Sequence, residues 1–304
     1  MRTTTTRIVA VLTALVIVTA ACSSSKKSSD AGGSTATTVA AGGYDADLAA
    51  KLPDKIKSAG TINVATDASY PPMEFFAADN TTIQGMDVDL AKALGEVLGV
   101  KVNVENATFD DIIPGLGTRY DLGMSSFTDK QEREQTVDFV TYFSAGSSFL
   151  VQKGKNQDLT SLDALCGKSV GVETGTTQAD DATAQSTTCT TAGKQAVNVE
   201  SFPTQDEVNL ALSSGRVDVA MADTPVAGYQ AEQSNGAFEL IGQSYGTAPY
   251  GIAIPKGSDY AGVTDALLGA IQKLNSNGTY TKILKTWGLE GGAITDFQIN
   301  GAIS

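Results

Sequence analysis

Polar residues stand at the ends of two short apolar stretches, at equivalent places in the sequence. Ser125 and Ser126 end the first stretch, and Asp223 ends the second. Hydroxyls can donate hydrogen bonds to an anion, and a carboxylate can bind an ammonium group. These residue types together suit a small zwitterion.

The same polar residues close two copies of one strand–helix–strand unit. The copies read VNVENATFDDIIPGLGTRYDLGMSS at residues 102–126 and VNVESFPTQDEVNLALSSGRVDVAMAD at residues 197–223. Each copy runs from an alternating strand through an amphipathic helical stretch to an Arg-x-Asp turn and a second strand. In open α/β sheets, ligands bind beyond the carboxyl ends of the strands. We therefore expect an α/β fold of two lobes that face each other across a ligand cleft.

Other elements must position this cleft. We predict strands at residues 61–66, 100–104, 120–124, 148–152, 169–172, 196–199, 217–221 and 250–255. We predict helices at residues 44–59, with an interruption at Pro53, and at residues 87–98, 265–275 and 279–287.

The chain continues beyond the second copy without a third one. It is therefore expected to cross from lobe 1 to lobe 2 and to return. Lobe 1 would comprise residues 44–146 and 245–304, and lobe 2 residues 147–244. Two crossings predict a two-strand hinge that closes around the ligand.

The N-terminus has the features of a signal peptide over residues 1–21. Arg2 and Arg7 precede a short apolar run and small residues. Cys22 follows directly, as in the lipobox of bacterial lipoproteins, where the cysteine carries the lipid; plain secretion is the alternative. Residues 22–43 lack aromatic side chains and predict a flexible tether. The protein would be exported and lipid-anchored to the outer face of the cytoplasmic membrane.

Composition excludes several classes of function. The chain has no histidine, which removes Ser-His-Asp and Cys-His catalysis and disfavours a metal site. A net charge of −13 without a basic stripe disfavours nucleic-acid binding. Cys166 and Cys189 would be free to pair in an exported chain, and two separate buried thiols are the alternative.

Several further motifs occur in a specific order between residues 52 and 289. They are ATDASYPPMEF at 65–75, GMDVDL at 85–90, FDDIIPGL at 109–116, SSFT at 125–128 with Arg133, GKSVGV at 167–172, GTT at 175–177, Asp223, GTY at 278–280 and KTWG at 285–288. In this order the chain resembles the family 3 extracellular solute-binding proteins of polar amino-acid ABC transporters. The resemblance implies a type II periplasmic-binding-protein fold. It also implies a monomer that needs no cofactor, is not an enzyme, and delivers an amino acid to ABC permease subunits.

The resemblance also implies the roles of individual residues. Arg133 would hold the ligand α-carboxylate with its guanidinium fork, and a surface ion pair with Glu132 or Glu134 is the alternative. Thr177, which follows Thr176 at a helix N-terminus, would donate its backbone N–H to the same carboxylate.

The ligand ammonium would be bound by Asp223, helped by the hydroxyls of Ser126 and Thr128 beside Ser125. The alternative for Asp223 is the N-cap of a helix near Pro225.

The side-chain pocket would be lined by Asp67, Tyr70 and Phe109, with core packing as the alternative for the two rings and a turn cap as the alternative for Asp67. A carboxylate there favours an ammonium, guanidinium or amide group, so glutamine or a basic amino acid should outrank an acidic one. Lys130 would either add to the attraction of anions or point outward.

Three acidic residues within these motifs, Glu74, Asp87 and Asp89, are interpreted as turn and cap residues. Two other functions stay open. One is a ligand sensor without transport, and the other is a dehydratase-like enzyme on the same scaffold. For the enzyme, no general acid or base is evident in the sequence apart from Asp67 and Asp223.

Overall fold

A computed structural model describes residues 43–303. The predicted signal peptide, Cys22 and the predicted tether up to residue 42 lie outside the described residues. The helices are α1 Ala46–Ala50, α2 Asp54–Ala59, α3 Met86–Leu98, α4 Phe109–Gly115, α5 Gln131–Glu134, α6 Thr177–Thr191, α7 Gln205–Ser214, α8 Thr224–Gln233, α9 Val263–Ser276 and α10 Thr279–Trp287. The strands are β1 Thr61–Thr66, β2 Ser69–Tyr70, β3 Glu74–Phe76, β4 Ile83–Gln84, β5 Lys101–Asn106, β6 Leu122–Gly123, β7 Val137–Gln152, β8 Ser169–Glu173, β9 Asn198–Phe202, β10 Val219–Asp223 and β11 Phe238–Pro255.

Eight strands form one mixed sheet in the order β5-β1-β6-β11-β7-β10-β8-β9. The outer strands on each side are parallel to one another, β5-β1-β6 in the first half of the sheet and β10-β8-β9 in the second. The long strands β7 and β11 pair antiparallel through the middle and connect the two halves. The predicted α/β class is therefore confirmed.

The two sequence copies fold alike. Asp121 of the first copy donates its backbone N–H to Asn63 O at 2.8 Å and accepts the N–H of Asn63 on Oδ2 at 2.9 Å. Asp218 of the second copy makes the same two bonds, at 2.8 and 2.9 Å, with Ser169. Asn63 in β1 and Ser169 in β8 therefore occupy equivalent positions.

Most predicted elements are confirmed, but β7 and β11 extend far beyond the predicted 148–152 and 250–255. Residues 143–147 and 242–249 contain glycine and polar residues without alternation, so the sequence alone gave no strand signal there. The pairing of β7 with β11 shifts register between Ile241 and Tyr245 and again before Ala248.

Helix α3 begins at Met86 after an N-cap glycine, Gly85, so the interpretation of Asp87 as a cap is wrong. Helices α9 and α10 pack against α3. Trp287 Nε1 donates to Asp89 Oδ2 at 3.0 Å, which fastens α10 to α3. Asp89 therefore has the structural role that the sequence suggested, though through a bond to another helix.

The predicted disulfide is present. Cys166 and Cys189 are bonded, with their Cα atoms 5.6 Å apart, and connect the segment before β8 to α6. Over residues 43–303 no helix combines the length and the apolar character needed to cross a membrane.

Candidate functional site

All ten sequence-predicted binding residues line a single cavity. They are Asp67, Tyr70, Phe109, Ser125, Ser126, Thr128, Arg133, Thr176, Thr177 and Asp223. The cavity lies where β1 and β6 of the first half and β8 and β10 of the second half end, as the open-sheet rule predicts. Three more residues line it that the sequence did not suggest as binding residues, Glu74, Glu173 and Gln178.

Arg133 is held in place by backbone oxygens of both halves. Its Nη1 donates to Thr128 O and its Nη2 to Gly175 O, each at 2.9 Å. The guanidinium carbon lies 5.4 Å from the ring centre of Phe109 and 5.5 Å from that of Phe127. Burial lowers the pKa of Arg133 to about 10, so the side chain stays cationic at neutral pH. The guanidinium has five N–H donors, which leaves donors for a ligand anion.

The alternative partners of Arg133 are occupied elsewhere or absent from its contacts. Within residues 43–303 none of the ion pairs includes Arg133. Glu132 pairs instead with Lys130, whose Nζ lies 3.3 Å from its Oε2. Lys130 also contacts Asp180 Oδ2 at 2.6 Å, so it points away from the cavity and joins α6 at the rim.

The N-terminus of α6 faces the same cavity. Thr176 is its N-cap, and its Oγ1 accepts the N–H of Ala179 at 3.2 Å. Thr177 is the first helical residue, and N–H groups at this position have no partner within the helix. Gly175 precedes them with a φ of 80°, a conformation that side chains disfavour. This helix start can bind an anion through its backbone.

Asp223 is buried at the end of β10. Its Oδ1 accepts from Gln178 Nε2 at 2.8 Å and its Oδ2 from the Tyr250 hydroxyl at 2.6 Å. Although Asp223 stands at the N-cap position of α8, its side chain makes no capping bond, so the capping alternative is wrong for the carboxylate. Burial raises the pKa of Asp223, and the bonds from Tyr250 and Gln178 oppose that rise.

Ser125 and Ser126 are positioned by two buried acids. Ser125 Oγ donates to Glu74 Oε1 at 3.1 Å, and the N–H of Ser126 donates to Asp87 Oδ2 at 3.0 Å. Ser126 has a φ of 52°, which turns the chain sharply at the cavity wall. Glu74 therefore has a structural role, as the sequence suggested, but it begins strand β3 and does not lie in a turn, and its carboxyl also lines the cavity.

The expected side-chain pocket contains Asp67, Tyr70 and Phe109 as predicted. Asp67 is 4% exposed and its Oδ2 accepts the N–H of Phe109 at 3.0 Å. Burial raises the pKa of Asp67. The Phe109 ring stacks on Phe127, with ring centres 4.5 Å apart. The Tyr70 hydroxyl accepts the backbone N–H of Asp223 at 3.0 Å, across the two halves.

Glu173 is the main residue that sequence reasoning missed. It ends β8, is 3% exposed and has no hydrogen-bond partner for Oε1 among the described residues. Burial and the neighbouring carboxyls of Asp67 and Asp223 raise the pKa of Glu173 well above its usual range. Gln178 was also missed; its Nε2 bonds Ser147 Oγ at 2.7 Å as well as Asp223. The signal that could have indicated Glu173 lies outside the two sequence copies, in the equivalence of the preceding strands β1 and β8, which places Glu173 at the position of Asp67.

The lining residues include four carboxyls, Asp67, Glu74, Glu173 and Asp223, and a single cationic group, Arg133. An anionic ligand would meet this excess of acids in a partly desolvated space. A ligand with one carboxylate and more than one cationic group complements it. In chemical terms, this arrangement can bind a cationic amino compound.

Known proteins are similar to this chain in sequence and in fold. Residues 62–290 match the bacterial extracellular solute-binding proteins, family 3. The arginine-binding protein ArgT of Corynebacterium glutamicum is 33% identical over 257 residues, which cover 84% of this chain and 83% of that protein.

Solved structures are similar as well. An ancestral arginine-binding protein was solved bound to glutamine and bound to arginine; the two structures share 36% and 35% identity with this chain. Each has a TM-score of 0.68, and they cover 76% and 75% of this chain and 99% and 98% of their own. The ancestral amino acid-binding protein AncCDT-1, a precursor of cyclohexadienyl dehydratase, is 32% identical with a TM-score of 0.68 and covers 77% of this chain and 98% of its own.

These relatives bear out the type II fold that the resemblance implied, in which two long strands connect two α/β halves. The named relatives are binding proteins, and their family is extracellular. With its match spanning most of the described residues, this chain belongs to the bacterial extracellular solute-binding proteins of family 3.

Proposed function

We propose that this protein captures a basic amino acid, arginine above all, and delivers it to the permease of an ABC importer. The observation that carries the proposal is the single guanidinium of Arg133 among four carboxyls in one cavity. Arginine has one carboxylate and two cationic groups, which complements that arrangement. The similarity to arginine-binding proteins supports the same choice. Glutamine, bound in one similar structure, is the next candidate.

Each predicted residue has a place in this proposal. Arg133 and the backbone N–H of Thr177 bind the α-carboxylate, with Thr176 holding the helix start. Asp223 binds the α-ammonium, and the hydroxyl groups of the serine–threonine segment 125–128 complete this end of the ligand. At the other end, Asp67 faces the distal cation while Tyr70 and Phe109 contact the aliphatic stem.

Capture works by closure of the two lobes, residues 44–146 with 245–304 and residues 147–244. Contacts between the halves support this proposal. Besides the Tyr70–Asp223 and Arg133–Gly175 bonds, Ser69 Oγ accepts the N–H of Gln205 at 3.1 Å. These bonds surround the cavity, so a ligand that joins both walls favours the closed arrangement.

A panel of the twenty amino acids in a thermal-shift assay tests the ligand class, because a ligand that binds only the folded state raises the melting temperature. We expect arginine to give the largest shift, lysine and glutamine smaller ones, and glutamate and aspartate none. A largest shift with glutamate would overturn the proposal.

The membrane attachment proposed for Cys22 needs its own test. Cys22→Ser should release the protein from membranes into the exported soluble fraction. Retention of the variant on membranes after a salt wash would contradict a lipid anchor at this residue. Pull-down of a permease with the anchored protein, in the presence of arginine, separates transport from sensing.

One observation favours a second candidate, a dehydratase. Glu173 is a buried carboxyl with a raised pKa in the same cavity as Arg133, and a general acid for loss of a hydroxyl as water requires such a carboxyl. The similarity to a dehydratase precursor agrees with it. The other three carboxyls oppose it, since they repel prephenate-like acids. Incubation with prephenate should leave the substrate unchanged, and release of carbon dioxide and an aromatic acid would establish the enzyme.

A further inference from the structure

The internal repeat relates two acidic residues in the cavity. Asn63 and Ser169 are equivalent, because each exchanges the same pair of hydrogen bonds with the aspartate of its Arg-x-Asp turn. Asp67 follows Asn63 by four residues, and Glu173 follows Ser169 by four residues. Asp67 and Glu173 therefore extend from the same point of two equivalent strands, one in each half of the sheet, and both line the cavity.

The two carboxyls lie against each other, and one oxygen of Glu173 lacks a donor among the described residues. Asp67 Oδ2 accepts the N–H of Phe109 at 3.0 Å. Glu173 is 3% exposed, and its Oε1 has no partner in the part of the chain that the structure describes. Buried carboxyl oxygens are normally hydrogen-bonded, so an unpartnered one inside a binding cavity indicates that a ligand supplies the donor.

We infer that Asp67 and Glu173 form a two-sided clamp for the distal cation of the ligand, one carboxylate from each half of the protein. This inference rests on the proposed function and adds Glu173 as a specificity-determining residue. A guanidinium has N–H donors along two edges and can bond both carboxylates at once. The amide of glutamine has one edge of donors and no charge, so it can satisfy one carboxylate while leaving the other unpaired.

The clamp also couples binding to protons. Three groups face Glu173: the carboxyls of Asp67 beyond β1 and Asp223 on β10, and the Tyr70 hydroxyl. The charge of Asp206 on α7 contributes to raising the pKa of Asp67. Arg133 is the cationic group among the residues that line the cavity. Burial raises the pKa of Asp67, and burial with the neighbouring carboxyls raises that of Glu173 well above its usual range, so this pair holds protons more tightly than free carboxyls do. A guanidinium that binds both as carboxylates must displace any proton they hold, whereas glutamine need not.

The first experiment measures arginine and glutamine affinity by calorimetry for wild type and Glu173→Gln, with the exposed Glu207→Gln in the same half as control. The expected result is a loss of arginine affinity of about 10- to 150-fold, with glutamine affinity changed by less than about threefold. Glu207→Gln should match wild type for both ligands. An arginine-to-glutamine ratio in Glu173→Gln that equals the wild-type ratio would overturn the clamp and leave the proposed function standing. A wild type that binds neither ligand overturns the proposed function, and the clamp with it.

A second experiment needs no variant. Wild-type protein is titrated at pH 7 in buffers of different ionisation enthalpy, with each ligand in turn. Binding of arginine should release more protons than binding of glutamine. The binding heat of arginine should then depend more steeply on the ionisation enthalpy of the buffer. The titration is repeated at steps between pH 5 and pH 8, and equal release with the two ligands at every pH would overturn the clamp even if Glu173→Gln did not fold.

Discussion

The Tyr70 hydroxyl accepts the backbone N–H of Asp223 at 3.0 Å, so a side chain of the first half holds the strand end that carries the proposed ammonium-binding carboxylate. Tyr70→Phe removes this bond without changing the ring. One neutral hydrogen bond contributes about 0.5–1.5 kcal/mol, so arginine affinity should fall about 2- to 12-fold in calorimetry. Tyr229→Phe, outside this cavity, is the control. Equal affinities for the two variants would show that the bond does not support closure.

Arg133 should be the arginine on which binding depends. Charge-assisted hydrogen bonds contribute about 1.5–3 kcal/mol, so Arg133→Ala should weaken ligand binding about 10- to 150-fold. The ligand-induced compaction seen by small-angle scattering should be lost at a ligand concentration that saturates wild type. Arg119→Ala and Arg216→Ala are the controls, since both side chains are exposed at the repeat turns. If a control variant loses ligand binding while Arg133→Ala retains it, the binding site lies elsewhere.

The disulfide should affect stability far more than binding. Cys166 and Cys189 are 23 residues apart, a loop whose closure stabilises the fold by about 3 kcal/mol in the chain-entropy description. Neither cysteine lines the cavity. Urea unfolding should give a lower free energy of unfolding with reductant than without it. The arginine affinity of the reduced protein should stay within about threefold of that of the oxidised protein. Alkylation of both cysteines without reductant would contradict the bond.

Asp129 should make stability fall as the pH rises. It is buried beside Glu134, its Oδ2 accepts the N–H of Gly301 at 2.8 Å, and burial together with Glu134 raises its pKa to about 7. The folded state therefore holds this proton more tightly than the unfolded state, whose pKa is about 3.9. The contribution of Asp129 to stability is largest below about pH 4 and declines up to about pH 7.

Asp129→Asn removes the titrating group. The free energy of unfolding of the variant, relative to that of wild type, should therefore increase from pH 5 to pH 8. Urea unfolding at the two pH values measures this gain. The exposed Asp158→Asn should follow wild type at both. A wild-type pH dependence in Asp129→Asn would show that another group controls it.

Much of the site could be predicted because strand ends are readable in the sequence. Asp67, Ser125 and Asp223 each follow an apolar strand that the pattern identified, and they line one cavity. Their roles in binding stay predictions until the variants are measured. Glu173 could not be singled out by its own pattern, because Glu105 and Glu200 also end alternating strands.

What separates these glutamates is the position of their strands in the sheet. Strand β8 lies inside the sheet, whereas β5 and β9 are its edges, and that order depends on pairing between distant segments. The middle parts of β7 and β11 were missed for a similar reason. Their glycine-containing middle parts are strands because they pair with each other, not because of local propensity.

Helices α9 and α10 pack against α3, although residues 99–262 separate α3 from α9 in the sequence. A chain that leaves a translocation pore N-terminus first cannot complete this layer until its last helices have emerged. The stretch from β8 to β10 is continuous in sequence and supplies most of one apolar cluster, including Val170, Val172 and Val219. We therefore expect that stretch to acquire structure first during export, while α3 remains without its helical neighbours and its apolar residues stay uncovered until α9 and α10 emerge.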